Sequence, residues 1–221
     1  MSITSREMHA LETNSEYYGV STLQLMENAG RNVANEIAAR FKPEKTEVAV
    51  FCGLGGNGGD GFVAARHLLN YSFRVELVLA GRPSDIAHGD ARTNWNALQN
   101  LKNAITIHEV TDSSLIPDVK ADVMVDALLG IGQRSPPRPP IRQLIAKINE
   151  TKSFCIAVDV PTGIDSDSGE VLEEAVKADL TVTFHRSKPG LEKAKKYTGE
   201  ILVADVGLPH EFERFTGPGD V

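Results

Sequence analysis

The residues with the clearest capacity for chemistry are a glycine-rich run, Gly53-Leu54-Gly55-Gly56-Asn57-Gly58-Gly59-Asp60-Gly61, and two carboxylates, Asp126 and Asp159, each placed where an apolar run stops. A glycine run that follows a strand and opens a helix offers backbone amides to an anion, and open α/β sheets bind ligands beyond the carboxyl ends of their strands. The run therefore predicts a phosphate cradle. Asp126 opens the segment Asp126-Ala127-Leu128-Leu129-Gly130-Ile131-Gly132, and Asp159 opens Asp159-Val160-Pro161-Thr162-Gly163-Ile164-Asp165. A carboxylate at such a strand end can move protons or simply form a turn. Asn57, Asp126 and Thr162, with nearby carbonyls, make an oxygen set suited to a hard alkali or alkaline-earth cation rather than to zinc.

Gly53, Gly55 and Gly58 also satisfy G-x-G-x-x-G, the turn of a nicotinamide dehydrogenase. Where such an enzyme places its ribose-binding carboxylate, the second strand ends in Ala80-Gly81-Arg82, and Glu76 lies inside the strand. The run further continues into Asn57, Gly59 and Asp60, which a plain dinucleotide turn does not need. HExxH, CxxC, GxSxG and GxxxxGK[ST] patterns are all missing, so zinc hydrolase, serine hydrolase and P-loop kinase readings have no footing. His67 and His108 read as structural. Lys188, in the loop after the strand Thr181-Val182-Thr183-Phe184, is either a second cationic group near a ligand or a solvated surface lysine.

These groups must be positioned by alternating strands and helices. Thr4-Ser5-Arg6-Glu7 and Ser21-Thr22-Leu23-Gln24 have capping-box spacing and predict two N-terminal helices. In the second, Leu23, Met26, Gly30, Val33 and Ile37 recur at three- and four-residue steps, predicting a small, apolar face packed on a sheet with Gly30 at a close approach. Strands are predicted over 47–52, 73–80, 104–108, 122–128, 153–159, 178–184 and 200–206, with helices after the glycine run and near 85–100 and 140–150. Strands that read as almost continuous apolar runs between helices imply an α/β fold, a mostly parallel sheet covered by helices on both faces.

The chain's 221 residues, 41% of them hydrophobic and 24% charged, fit one such domain. A formal charge of −7 argues against a nucleic-acid or anionic-membrane partner. No apolar run approaches the ~20 residues of a membrane span, and the first ten residues hold no signal-peptide core. Cys52 and Cys155 read as buried free thiols, and a cytoplasmic location is expected.

Taken in order, Leu25-Met26-Glu27-Asn28-Ala29-Gly30, the run from Gly53 to Gly61, Val125-Asp126-Ala127-Leu128-Leu129-Gly130, Asp159-Val160-Pro161-Thr162-Gly163, and Thr183-Phe184 with Lys188-Pro189-Gly190 resemble the NAD(P)H-hydrate epimerase family, the YjeF N-terminal domain. The resemblance spans about residues 4–209. It implies a Rossmann-like three-layer sandwich that interconverts the R and S epimers of hydrated NADH and NADPH, NADHX and NADPHX. It also implies a bound potassium ion, a homodimer, and an ADP- or ATP-dependent NAD(P)H-hydrate dehydratase as functional partner, in some members fused to the same chain. By position, Gly56, Asn57, Gly58, Gly59 and Asp60 bind substrate, as do Gly130, Ile131, Gly132, Gln133, Arg134, Ser135 and Pro136. Asp159 contacts the reacting part of the substrate and is the expected catalytic residue, and Asn57, Asp126 and Thr162 hold potassium.

The chain departs from the pattern in having Gly56-Asn57 where the family usually has Asn-Asn, Leu54 for Pro and Thr162 for Ser; Gln133 to Pro136 follow it loosely. Residues 1–215 are expected to form the epimerase-type domain, and Thr216 to Val221 resemble the connector to a dehydratase domain. A non-catalytic nucleotide-binding or dimerising scaffold of the same fold is the alternative, and a nicotinamide oxidoreductase or a methyltransferase ranks third.

Overall fold

The computed structural model describes residues 2–87, 89–101, 103–213 and 217–219. Two helices open the chain, α1 (Ser5–Tyr17) and α2 (Thr22–Arg40), each under a complete capping box. In α1 the Thr4 hydroxyl accepts from the Glu7 amide and the Glu7 carboxylate accepts from the Thr4 amide at 2.8 Å, satisfying two donors the helix cannot pair itself. The alternating part follows: β1 (Glu47–Cys52), α3 (Gly56–Asn70), β2 (Arg74–Leu79), α4 (Gly89–Gln99), β3 (Thr106–Glu109), β4 (Val123–Ala127), α5 (Ile141–Glu150), β5 (Phe154–Val158), β6 (Leu180–Phe184), the short helices α6 (Pro189–Lys193) and α7 (Lys195–Thr198), and β7 (Glu200–Ala204).

All seven strands pair in parallel, in the order β3-β2-β1-β4-β5-β6-β7. In β1, β4, β5 and β6 almost every residue is buried because both sheet faces are covered there, whereas the edge strands β3 and β7 are largely unburied. In β1, Val48, Val50 and Cys52 enter one core with α2, α3 and α4, while Ala49 and Phe51 enter the other with Leu144, Ile145 and Ile148 of α5. The chain order reverses between β1 and β4. That switch point splays the following loops apart and leaves a crevice at the carboxyl edge.

The apolar face of α2 is shared between β6 and α3, rather than lying on the sheet alone. Gly30 serves the helix pair: a β-carbon there would stand 2.4 Å from the Asp60 carbonyl oxygen and 2.5 Å from Val63 Cβ. Both cysteines are buried free thiols. No described helix is long and apolar enough to cross a membrane. Of the predicted tail, residues 216, 220 and 221 lie outside the described residues, and the Gly219 amide donates to Asn14 Oδ1 of α1 at 2.7 Å.

Candidate active site

The crevice is a cavity of about 650 Å³ at the β1/β4 switch point. Its walls come from α1, the Thr22–Ala29 stretch of α2, the glycine turn, the loop after β4, and a corner made by Asp159, Phe184 and Lys188.

The glycine run is helical earlier than its composition suggests, since α3 begins at Gly56 with Gly55 as its N-cap and no side chain capping it. Its first-turn amides are therefore open to a ligand at the positive end of the helix dipole. Close packing explains other glycines of the run. A β-carbon on Gly53 would meet the Leu128 carbonyl oxygen at 1.9 Å, one on Gly58 the Gly53 carbonyl oxygen at 2.0 Å, and one on Gly59 the Met26 side chain at 2.6 Å. Gly56, Asn57 and Asp60 line the cavity.

Below the floor lies Asp126, fully buried at the end of β4. Its Oδ2 accepts from the Thr162 amide at 2.8 Å, and its Oδ1 from the Thr162 hydroxyl at 2.7 Å and the Leu128 amide at 3.2 Å. Desolvation pushes its pKa up to about 6 against these hydrogen bonds. The Leu129 amide donates to Thr162 Oγ1 at 2.9 Å, and Asn57 Oδ1 would lie 3.1 Å from a β-carbon on Gly130. One turn, Leu128–Gly130, thus touches all three candidate cation ligands. The Asn57 Nδ2 atom is buried with no hydrogen-bond partner.

Asp159 leaves β5 with φ 64, a left-handed conformation that costs a non-glycine residue roughly 1–3 kcal/mol and recurs at functional sites. Three donors converge on its Oδ1: Lys188 Nζ at 2.5 Å, Thr183 Oγ1 at 3.0 Å and the Phe184 amide at 3.3 Å. Oδ2 accepts no hydrogen bond among the described residues. Lys188 is 1% exposed, which removes the reading of a solvated surface lysine. Its other ammonium protons go to Thr183 Oγ1 and the Phe184 carbonyl, both at 3.0 Å.

Two further carboxyl groups share the cavity, Glu12 of α1 and Asp60 of α3. Desolvation and then the field of Asp159 raise the pKa of both, Asp60 the more strongly, with Lys188 pulling the other way.

A family model described as YjeF-related protein N-terminus matches residues 22–190. The chain belongs to the YjeF N-terminal family. Among similar proteins, the bifunctional NAD(P)H-hydrate repair enzyme Nnr of Methanothermobacter thermautotrophicus is 50% identical over 219 residues, covering 97% of this chain and 42% of that protein. The NAD(P)H-hydrate epimerase of Nitrosopumilus maritimus is 36% identical over 214 residues, covering 96% of this chain and 98% of that one. The crystal structure of yeast ynu0 superposes with a TM-score of 0.79 at 25% identity, covering 100% of this chain and 96% of that one. The chain spans less than half the length of the bifunctional relatives it matches.

The YjeF N-terminal positions fall into distinct places. Gly56, Asn57, Asp60, Gly130, Ile131, Gly132, Gln133, Arg134 and Asp159 reach the cavity together. Gly58 and Gly59 lie in α3 as packing positions, Ser135 and Pro136 are exposed outside the lining, and Asp126 with Thr162 supports the floor from beneath. Gln133 ties two loops, accepting from the Gly163 amide at 2.9 Å and donating to the Ser135 carbonyl at 3.2 Å. Sequence reasoning missed the α1 wall: Ser5, Arg6, Met8, His9 and Glu12 all line the cavity. Their steps of three and four residues were available as a signal, as one face of a capped helix. The first turn of α1 is clasped to the loops by the Ser5 amide and hydroxyl donating to Asp167 at 2.8 and 2.6 Å, and by Arg134, which donates to Ser5 Oγ, Asp165 and Asp167.

Proposed function

We propose that this chain is an NAD(P)H-hydrate epimerase, an isomerase that interconverts the R and S epimers of NADHX and NADPHX. The observation that carries this reading is the fixed Asp159–Lys188 pair, at the wall of a cavity that also holds the open amides of α3. The names of the full-length and bifunctional relatives support it.

The stereocentre of the hydrate is a carbinolamine carbon, bonded to both the ring nitrogen and a hydroxyl. Loss of the hydroxyl as water gives a planar iminium, and water returning to the other face gives the opposite epimer. The chain must bind the dinucleotide, move a proton and offset a developing positive charge. First-turn amides at Gly56 and Asn57 take the phosphates. Asp159, its Oδ1 locked by three donors, keeps Oδ2 for the reacting group and supplies the negative charge that favours the iminium. Lys188 is a positioning residue that holds this carboxylate in its left-handed turn.

The cation seat fits potassium chemically: Asn57, Asp126 and Thr162 supply amide, carboxylate and hydroxyl oxygens, carbonyls of the Leu128–Gly130 turn adjoin them, and Asp126 gives a single buried negative charge. These residues would hold the ion, which when bound offsets ligand phosphate charge and orders the surrounding turns. Buried thiols at Cys52 and Cys155 support a cytoplasmic place of work. The homodimer, and the pairing with an ADP- or ATP-dependent dehydratase, rest on the family resemblance and on the bifunctional relatives.

The test is to incubate the chain with the isolated R epimer of NADHX and follow the S epimer by chromatography against the spontaneous rate. Conversion is expected, with Asp159→Asn slower by roughly 10²–10⁴-fold. Absence of conversion would favour the scaffold reading, and hydride or methyl transfer would favour the third.

A further inference from the structure

Inversion at a carbinolamine carbon makes a demand that Asp159 alone does not meet. The departing hydroxyl needs a proton on one face of the ring, and the returning water must lose one on the other. Asp159 is pinned through Oδ1 at the carboxyl end of β5 and serves one side. The second group must come from another wall.

We propose that Glu12 is that group, a second catalytic residue that faces the reacting ring from α1 while Asp159 faces it from the sheet. This rests on the epimerase reading. Glu12 shares the cavity with Asp159 and stands on α1, apart from the strand ends and the glycine turn; the other helical wall, α2, brings Thr22, Leu25, Met26 and Ala29 to the lining and no carboxyl group. In the R-to-S direction the Glu12 carboxyl gives its proton to the hydroxyl oxygen. The carbon–oxygen bond breaks with its electron pair leaving as water, and the nitrogen lone pair forms the carbon–nitrogen double bond. Water then bonds to the other face and passes a proton to Asp159. In the S-to-R direction the two carboxyl groups exchange roles, and solvent restores their protons between turnovers.

The surroundings suit a group that starts the cycle protonated. The charged groups facing Glu12 are Asp159, at the end of β5, Asp60 of α3, Lys188 at the entry to α6, and His9 of its own helix. Burial and the field of Asp159 favour its neutral form, while Lys188 and His9 oppose this. His9 Nδ1 is 3.8 Å from Glu12 Oε2, and its side chain is 82% exposed, so the pair reaches from the cavity to solvent.

The experiment compares the unaltered chain, Glu12→Gln and Glu12→Asp with the R epimer of NADHX across pH. Glu12→Gln is expected to lower kcat by roughly 10²–10⁴-fold with KM within a few-fold, and to abolish the fall in activity on the alkaline side of the profile. Glu12→Asp, which keeps the acid on a shorter arm, is expected to recover part of kcat and that alkaline limb. A Glu12→Gln chain that keeps its kcat, or that changes only KM, overturns the role of Glu12 and leaves the epimerase reading intact. An unaltered chain that fails to convert the epimer overturns both.

Discussion

The Lys188 ammonium stands 2.5 Å from Asp159 Oδ1, across 29 residues of sequence, with both side chains almost removed from water. A buried pair of this kind is exposed by deleting one member, because the remaining charge keeps its desolvation cost without its partner. Lys188→Met should destabilise the fold by about 3–5 kcal/mol. It should also lower kcat more than it raises KM, as the Asp159 turn loses its brace. Thermal denaturation and steady-state kinetics on the same preparation check both expectations, and a stable Lys188→Met chain would mean that the pair is not what holds the corner.

At the α2–α3 contact the expectation is steric. Gly30→Ala puts a β-carbon 2.4 Å from a backbone oxygen, which cannot rotate away as a side chain could. Overpacking of this kind costs roughly 1–3 kcal/mol. The oxygen belongs to Asp60, so the strain is also expected to weaken ligand binding. Calorimetry alongside a binding titration reads both effects.

Glu27 joins the same two helices, accepting from Arg66 and pairing with His67 Nε2 at 2.8 Å. Burial alone would raise its pKa, but Arg66 and His67 outweigh burial and bring it below the ordinary 4.5. The folded-state value is depressed, so the contribution to stability is fully present above the unfolded value. It is lost as pH falls through the folded one. Glu27→Gln should therefore flatten the acid limb of a stability–pH curve and lower the neutral plateau slightly, since the pair is partly exposed and screened. An unchanged acid limb would remove Glu27 from the acid response.

For the cation seat, ligand affinity should be higher in potassium chloride than in tetramethylammonium chloride at equal ionic strength. Thr162→Val removes the hydroxyl donor to Asp126 and should erase most of that difference. Leaving a buried acceptor short of a partner costs about 1–3 kcal/mol, so a lower melting temperature should accompany it. Equal affinity in the two salts would remove potassium from the site.

The inner strands β1, β4, β5 and β6 were legible because runs such as Glu47-Val48-Ala49-Val50-Phe51-Cys52 and Phe154-Cys155-Ile156-Ala157-Val158 are buried on both faces and need no polar alternation. Asp126 and Asp159 were legible for a related reason: each interrupts an apolar run at the edge where a parallel sheet binds. The buried state of Lys188 was not, since its acidic partner is distant in sequence and a lysine beside proline and glycine reads as a surface loop. Nor was the division of the glycine run, because a glycine that admits a ligand and one that admits a neighbouring backbone look alike until the neighbour is in place. Glu12 escaped notice because a helix face turned toward an open crevice has the polar composition of one turned toward solvent.

The clasp between Ser5, Asp167 and Arg134 separates the origins of the pocket. Asp126 and the Asp159 corner grow out of strand termini, whereas α1 is fastened at its first turn through the side chains of Asp167 and Arg134. Grafting residues 4–18 from one member onto another should therefore exchange the α1 wall as a cassette, leaving the sheet-borne apparatus of the host in register.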